Sequence, residues 1–97
     1  MRIITERRIR EFFRHHPNAE PAFTEWIREV RQANWQTPQQ LRNLYPSASI
    51  LPNNRAVFRL GGGQYRLIVV IHYNKGRLFI RFVGTHAEYD KIDPLTV

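Results

Sequence analysis

The chain contains no cysteine, which excludes disulfides and thiolate metal sites and is compatible with a reducing compartment. No apolar run approaches the roughly 20 residues that a membrane-spanning helix needs. The opening Met1-Arg2-Ile3-Ile4-Thr5 is too short and too soon charged to serve as a secretion signal. A soluble, cytoplasmic protein with no membrane partner is expected. A third shortage is local. No Asp or Glu occurs between Glu29 and Glu88, yet Arg31, Arg42, Arg55, Arg59, Arg66, Lys75, Arg77 and Arg81 all do.

What is present is correspondingly basic. The formal net charge is +7 and the pI about 10.8, values that favour a polyanionic partner such as nucleic acid or an acidic protein. Of the fifteen basic residues only Lys75 and Lys91 are lysine. Arginine's planar fork grips phosphate with two hydrogen bonds and stacks on bases, whereas solubility alone is better served by lysine mixed with glutamate. A nucleic-acid surface is therefore favoured over a merely solvated face. With 97 residues, 42% of them hydrophobic, the chain can build one modest core. One domain over residues 1–97 is expected.

Arg2–Ile4 reads as a short edge strand. Thr5 reads as the N-cap of a first helix running to about His16, with Ile4 and Ile9 as a hydrophobic staple and Ile9, Phe12 and Phe13 as its buried stripe. Pro17-Asn18 ends it. Pro21 suits the first turn of a second helix, whose Phe23, Trp26, Ile27 and Val30 recur at helical spacing as core residues. His15 and His16, adjacent on a helix and so about 100° apart, have no evident partner and carry little weight as metal ligands. Thr37-Pro38-Gln39-Gln40 is a capping box opening a short helix through Leu41 and Leu44. Residues 47–54 read as a loop.

Three strands follow, Arg55–Leu60, Gln64–Tyr73 and Arg77–Val83, joined by short glycine-bearing turns into an antiparallel meander. Gly61-Gly62-Gly63 lacks the spacing of a phosphate-cradling loop and precedes a strand, so it is a hairpin turn. Alternation assigns Ala56, Phe58, Leu60, Tyr65, Leu67, Val69, Ile71, Tyr73, Leu78, Ile80 and Phe82 to the core face. The other face takes Arg55, Val57, Arg59, Arg66, Ile68, Val70, His72, Arg77, Phe79, Arg81 and Val83.

Pairing core residues with core residues sets a register. Leu60 opposite Tyr65 places Arg59 across from Arg66, and Tyr73 opposite Leu78 places Arg66 across from Thr85 and Val70 across from Arg81. Facing guanidiniums repel unless an anion lies between them. Thr85-His86-Ala87-Glu88 is a second capping box, so a helix starts at His86 and points its N-terminus at the same region. Tyr89, three residues on, shares a surface with His86. Histidine exchanges protons near neutral pH, and arginine stabilises a charged phosphoryl transition state. Arg66, Arg81, His86 and Tyr89 are the catalytic candidates. Arg55, Arg59, His72 and Arg77 on the basic face, with Lys91 beyond the helix, are the RNA-binding candidates.

These residues also carry a family resemblance. Phe58, Gly61, Gly62 and Tyr65-Arg66-Leu67, followed by Ile80-Arg81-Phe82, Gly84-Thr85-His86 and Glu88-Tyr89-Asp90, resemble the motifs of HigB toxins from bacterial type II toxin–antitoxin systems. Arg2-Ile3-Ile4-Thr5 and Leu41–Pro46 fit as well, so the likeness covers nearly the whole chain. It implies an α+β, RelE-like fold with N-terminal helices packed on an antiparallel sheet (β-α-α-α-β-β-β-α). It implies an mRNA interferase that cuts mRNA in the ribosomal A site without metal or other cofactor, by attack of the ribose 2′-OH on the adjacent phosphate. Arg66 and Arg81 would then hold the scissile phosphate, and His86 and Tyr89 would serve proton transfer or stacking. The implied partners are a cognate antitoxin, a helix-turn-helix protein of the HigA type through which the complex binds operator DNA, and mRNA on the ribosome. Arg59 and Gln64 stand where the family often has asparagine. Two other readings stay open: a gyrase poison resembling the ParE toxins, which share the fold, and a non-catalytic nucleic-acid-binding module, which would be indifferent to His86.

Overall fold

The apolar run that follows the glycine turn becomes the middle of the sheet. A computed structural model describes every residue from Met1 to Val97. In it, β4 (Tyr65–His72) is flanked by β3 (Arg55–Leu60) and β5 (Arg77–Thr85) in antiparallel hairpins. Buried on both sides, it can afford few polar residues, and Arg66 is the buried exception. The outer strands are β1 (Arg2–Ile4) and β2 (Ser49–Leu51), giving the order β1-β5-β4-β3-β2.

Three helices cover one face: α1 (Arg7–His15), α2 (Glu20–Gln32) and α3 (Pro38–Leu44). Their apolar stripes, Ile9, Phe23, Trp26, Val30 and Leu41, form one cluster with Phe58, Leu67, Val69, Ile71, Leu78 and Ile80 of the sheet. Trp26 meets Phe58 edge-on with centroids 5.3 Å apart, and Phe12 meets Tyr65 edge-on at 5.8 Å. Burial of each such aromatic contributes about 1.5–3 kcal/mol, which no single surface contact here matches. Tyr45 ties α3 to α2 by donating to Glu29 at 2.6 Å. Burial, reinforced by that carboxylate, pushes the Tyr45 phenol well above its ordinary pKa.

The α+β class and the helix-on-sheet layering are as expected, with five departures. The sheet is mixed, because β1 pairs with β5 in parallel, Arg2 beside Arg77 and Ile3 beside Leu78. The segment read as a loop contains β2, which pairs with β3 as a short edge strand; its prolines flank the pairing rather than interrupt it. Thr5 is not an N-cap. It has φ 74°, and α1 starts after Glu6, which makes no capping bond because its carboxylate accepts two 2.8 Å bonds from Arg31 on α2.

The last two departures have one cause. The β4–β5 pairing runs Ile71 to Leu78 and Val70 to Phe79, two residues away from the expected register, until a bulge at Arg81 shifts it by one. Beyond the bulge, Phe82 pairs with Ile68, Leu67 with Val83, and Arg66 with Gly84 rather than Thr85. Phe82 therefore leaves the expected core face, and Val83 packs on the helix-side core in its place. The tight turn Tyr73–Gly76 absorbs the residues that the expected hairpin assigned to strand.

A left-handed threonine costs about 1–2 kcal/mol because its branched Cβ crowds the next carbonyl. Thr5→Asn is thus expected to raise the unfolding free energy by up to about 1 kcal/mol, since asparagine tolerates this conformation. Chemical denaturation measures it, and a clear loss of stability would show that the Thr5 side chain has a use its backbone does not reveal.

Candidate active site

The face turned away from α1–α3 carries the arginines. Arg59 and Arg66 are direct cross-strand partners, as expected, but no anion is needed between them. Arg59 turns toward the edge and donates to the Ser47 carbonyl at 2.7 Å and to Ser49 Oγ at 2.8 Å. The segment misread as a loop supplies those acceptors.

Arg66 stays in the interior with only 7% of its surface exposed. Its Nη1 donates to the Gly63 carbonyl and, at 3.3 Å, to that of Tyr65, while the buried Nε–H has no acceptor. An unpaired donor in a site this dry costs about 1–3 kcal/mol. The guanidinium lies 5.7 Å from the centre of the Tyr89 ring, a cation–π distance. Arg66 is thereby aimed by the glycine turn on one side and by Tyr89 on the other.

Thr85 links β5 to α4 (His86–Tyr89) through a complete capping box: Thr85 N–H donates to Glu88 at 2.8 Å, and Glu88 N–H to Thr85 Oγ1 at 3.2 Å. The bonds from Thr85 hold the Glu88 carboxyl below the usual carboxylate range, with help from His16 and Lys91. A carboxyl whose pKa is lowered by folding stabilises the fold above its unfolded value, and that contribution is lost as pH falls through the lowered one. The box is therefore closed at neutral pH. The expected free N–H groups at this helix start are mostly used, since His86 N–H donates to the Gln64 carbonyl at 2.9 Å. Gly84 has no room for a side chain: a Cβ there would stand 2.5 Å from the Phe82 ring.

His86 Nδ1 lies 3.0 Å from Asp90 Oδ2, with the two side chains 55% and 59% exposed. This pairing was missed in the sequence, although the i,i+4 spacing signals it. His16 also has a neighbour after all, because it stacks on Phe12 at 4.3 Å and lies close enough to Glu88 to lower its pKa. Arg81 is exposed at the bulge, three positions from Gly84. Its carbonyl accepts from Arg8 of α1 at 3.0 Å, and its Nε donates to the Val97 main-chain oxygen at 3.3 Å. Arg55 donates to the same Val97 oxygen at 2.9 Å. Arg66, Tyr89 and the start of α4 thus come together, whereas Arg81 meets Arg55 instead. His72 and Arg77 are paired in register, with Arg2 beside Arg77, at the far end of the sheet. His72 packs on Phe79 with centroids 5.0 Å apart. Lys91 is exposed just past α4. No group of three or more His, Asp or Glu side chains is placed to hold a metal ion, and no helix is long and apolar enough to cross a membrane.

Helices on one face of a five-stranded sheet, and arginines on the other, define an α+β protein of the RelE-like kind. The sequence profile of the HigB toxin family, described as the RelE-like toxic component of a toxin–antitoxin system, matches residues 19–92. The chain belongs to that family, and membership implies an antitoxin partner. It is 30% identical over 94 residues to the mRNA interferase HigB of Escherichia coli O6:H1 strain CFT073, covering 95% of this chain and 91% of that protein. It is 23% identical over 92 residues to the mRNA interferase toxin HigB of Escherichia coli K12, covering 93% and 88%.

Proposed function

We propose that this protein is an endoribonuclease toxin that cuts mRNA on the ribosome and is neutralised by a cognate antitoxin of the HigA helix-turn-helix type, through which the pair binds operator DNA. The carrying observation is Arg66, a buried guanidinium with an unpaired Nε–H beside Tyr89 and the start of α4. The activity in the names of the E. coli relatives supports the same reading.

The chemistry needs a proton acceptor for the ribose 2′-OH, a proton donor for the departing 5′-oxygen, and neutralisation of the phosphate between them. Asp90 Oδ2 lies 3.0 Å from His86 Nδ1, where its carboxylate favours a proton on that nitrogen and leaves Nε2 as the one that takes or gives a proton. The free edge of the Arg66 fork binds the non-bridging phosphate oxygens and stabilises their growing charge. Tyr89 holds Arg66 in place, and its hydroxyl and ring face are available to phosphate or base. The 2′-oxygen bonds to phosphorus as the 5′-oxygen leaves with a proton, so the products are a 2′,3′-cyclic phosphate and a 5′-OH. The scheme uses side chains alone.

Induced expression is expected to stop growth by stopping translation, with rescue by co-expression of the neighbouring antitoxin gene. Pulse labelling checks this: amino-acid incorporation falls before thymidine incorporation. Replication failing first would replace this reading with that of a gyrase poison.

A further inference from the structure

Beyond α4 the chain folds back across the arginine face. Asp93 closes a compact turn: its Oδ1 accepts from Leu95 N–H at 2.9 Å, and its carbonyl accepts from the N–H groups of Thr96 and Val97 at 3.1 Å each. The turn aims two main-chain oxygens at Arg55, whose Nη1 donates to Pro94 O at 3.0 Å and Val97 O at 2.9 Å. Arg81 Nε, from the other side of β4, reaches the same Val97 oxygen at 3.3 Å. Two cationic side chains from separate strands therefore converge on one oxygen. No Asp or Glu side chain pairs with either of them, since the four ion pairs of the molecule involve neither arginine.

We propose that Arg55 and Arg81 form a binding subsite for an RNA backbone phosphate next to the Arg66 site, and that residues 93–97 fill it in the free protein and leave when RNA binds. The inference rests on the RNA-directed reading above for the class of ligand. A phosphate presents several charged oxygens to the two forks at once, whereas in the free protein both arginines share the single Val97 oxygen, so phosphate gives each guanidinium its own charge-assisted bonds. The strap is held by little else. Its other bonds are internal to residues 93–97, and Leu95 is half-exposed rather than buried in the core. Val57 and Ile68, paired on the same sheet face as Arg55, are fully buried yet stand apart from the helix-side core.

The test is anisotropy binding of a labelled single-stranded RNA with 2′-O-methyl riboses, which cannot be cut. It is run on the full chain, on Asp93→Ala/Pro94→Gly, on Arg55→Gln, and on the three changes combined. Loosening the strap is expected to tighten binding by about fivefold or more, and that gain should vanish on the Arg55→Gln background. Equal affinity of the full and loosened chains, a gain that survives Arg55→Gln, or no binding to any of the four overturns the proposal. The amide resonances of Leu95, Thr96 and Val97 in the unmodified protein give a readout that needs no variant to fold. They should move to random-coil positions at saturating RNA, and unmoved resonances overturn the strap. Binding with strap release but no cleavage of unmodified mRNA on ribosomes would leave the subsite standing and remove the nuclease reading instead.

Discussion

Cleavage by the His86→Ala protein is expected to fall about 10²–10⁴-fold, the range for losing one general acid–base group, with ribosome binding and melting nearly unchanged. The fold should survive because α4 is held by the Thr85–Glu88 box and by Tyr89 beneath Arg66, and the only side-chain partner lost is Asp90. Single-turnover cleavage on programmed ribosomes reads the chemical step without product release. Asp90→Asn separates positioning from proton transfer: it keeps the imidazole but changes what Nδ1 meets, so the pH profile should shift while part of the rate remains. A well-folded His86→Ala that cuts at full rate would take this histidine out of the mechanism and leave Tyr89 or the ribosome to move the proton.

The Arg66→Lys protein is expected to lose about 10²–10³-fold in the same assay, comparable to losing one preorganised donor at a developing charge. Lysine keeps the charge but not the fork, so the loss measures geometry rather than net electrostatics. Arg66 also ties down the Gly63 carbonyl, and a thermal melt accompanies each measurement for that reason. Loss of rate at an unchanged melting temperature supports the phosphate role. A rate that falls only in step with the melting temperature would make Arg66 a structural clasp for the glycine turn. Arg81→Lys should cost far less, because Arg81 is exposed and shares its acceptor with Arg55.

Helical periodicity and capping signals were legible in the sequence because they are local. Phe23, Trp26 and Val30 lie on one side of α2 and Thr85 with Glu88 boxes α4 as their spacing says, whereas Thr37 caps α3 with only half of the expected box, Gln40 Oε1 accepting from Gln36 N–H, and Thr5 caps nothing. The Arg59–Arg66 pairing was legible too, since a short glycine turn leaves one sensible register. What escaped was set by tertiary demands. A bulge has no residue signature, and without it Phe82 and Val83 are assigned to the wrong faces. The destination of an arginine is equally hidden. Arg59, Arg66 and Arg81 look alike in the sequence, yet one clasps an edge strand, one is buried beside a tyrosine, and one meets a returning segment. Asp90 escaped for a different reason: its i,i+4 spacing from His86 signals the pair, but Asp90 lies just past the end of a one-turn helix, where that spacing is easily passed over.

The parallel pairing of β1 with β5 also bears on when a newly made chain becomes dangerous. Arg2–Ile4 has no partner strand other than Arg77–Phe79, so the first strand synthesised waits for nearly the last one to emerge. Contacts this far apart in sequence form late and slowly. His86, Tyr89 and Asp90 follow β5 directly, so closing the sheet and completing the proposed site depend on the same stretch of chain. On the function proposed above, a growing chain has neither a closed sheet nor a cutting site until β5 and α4 have both been made.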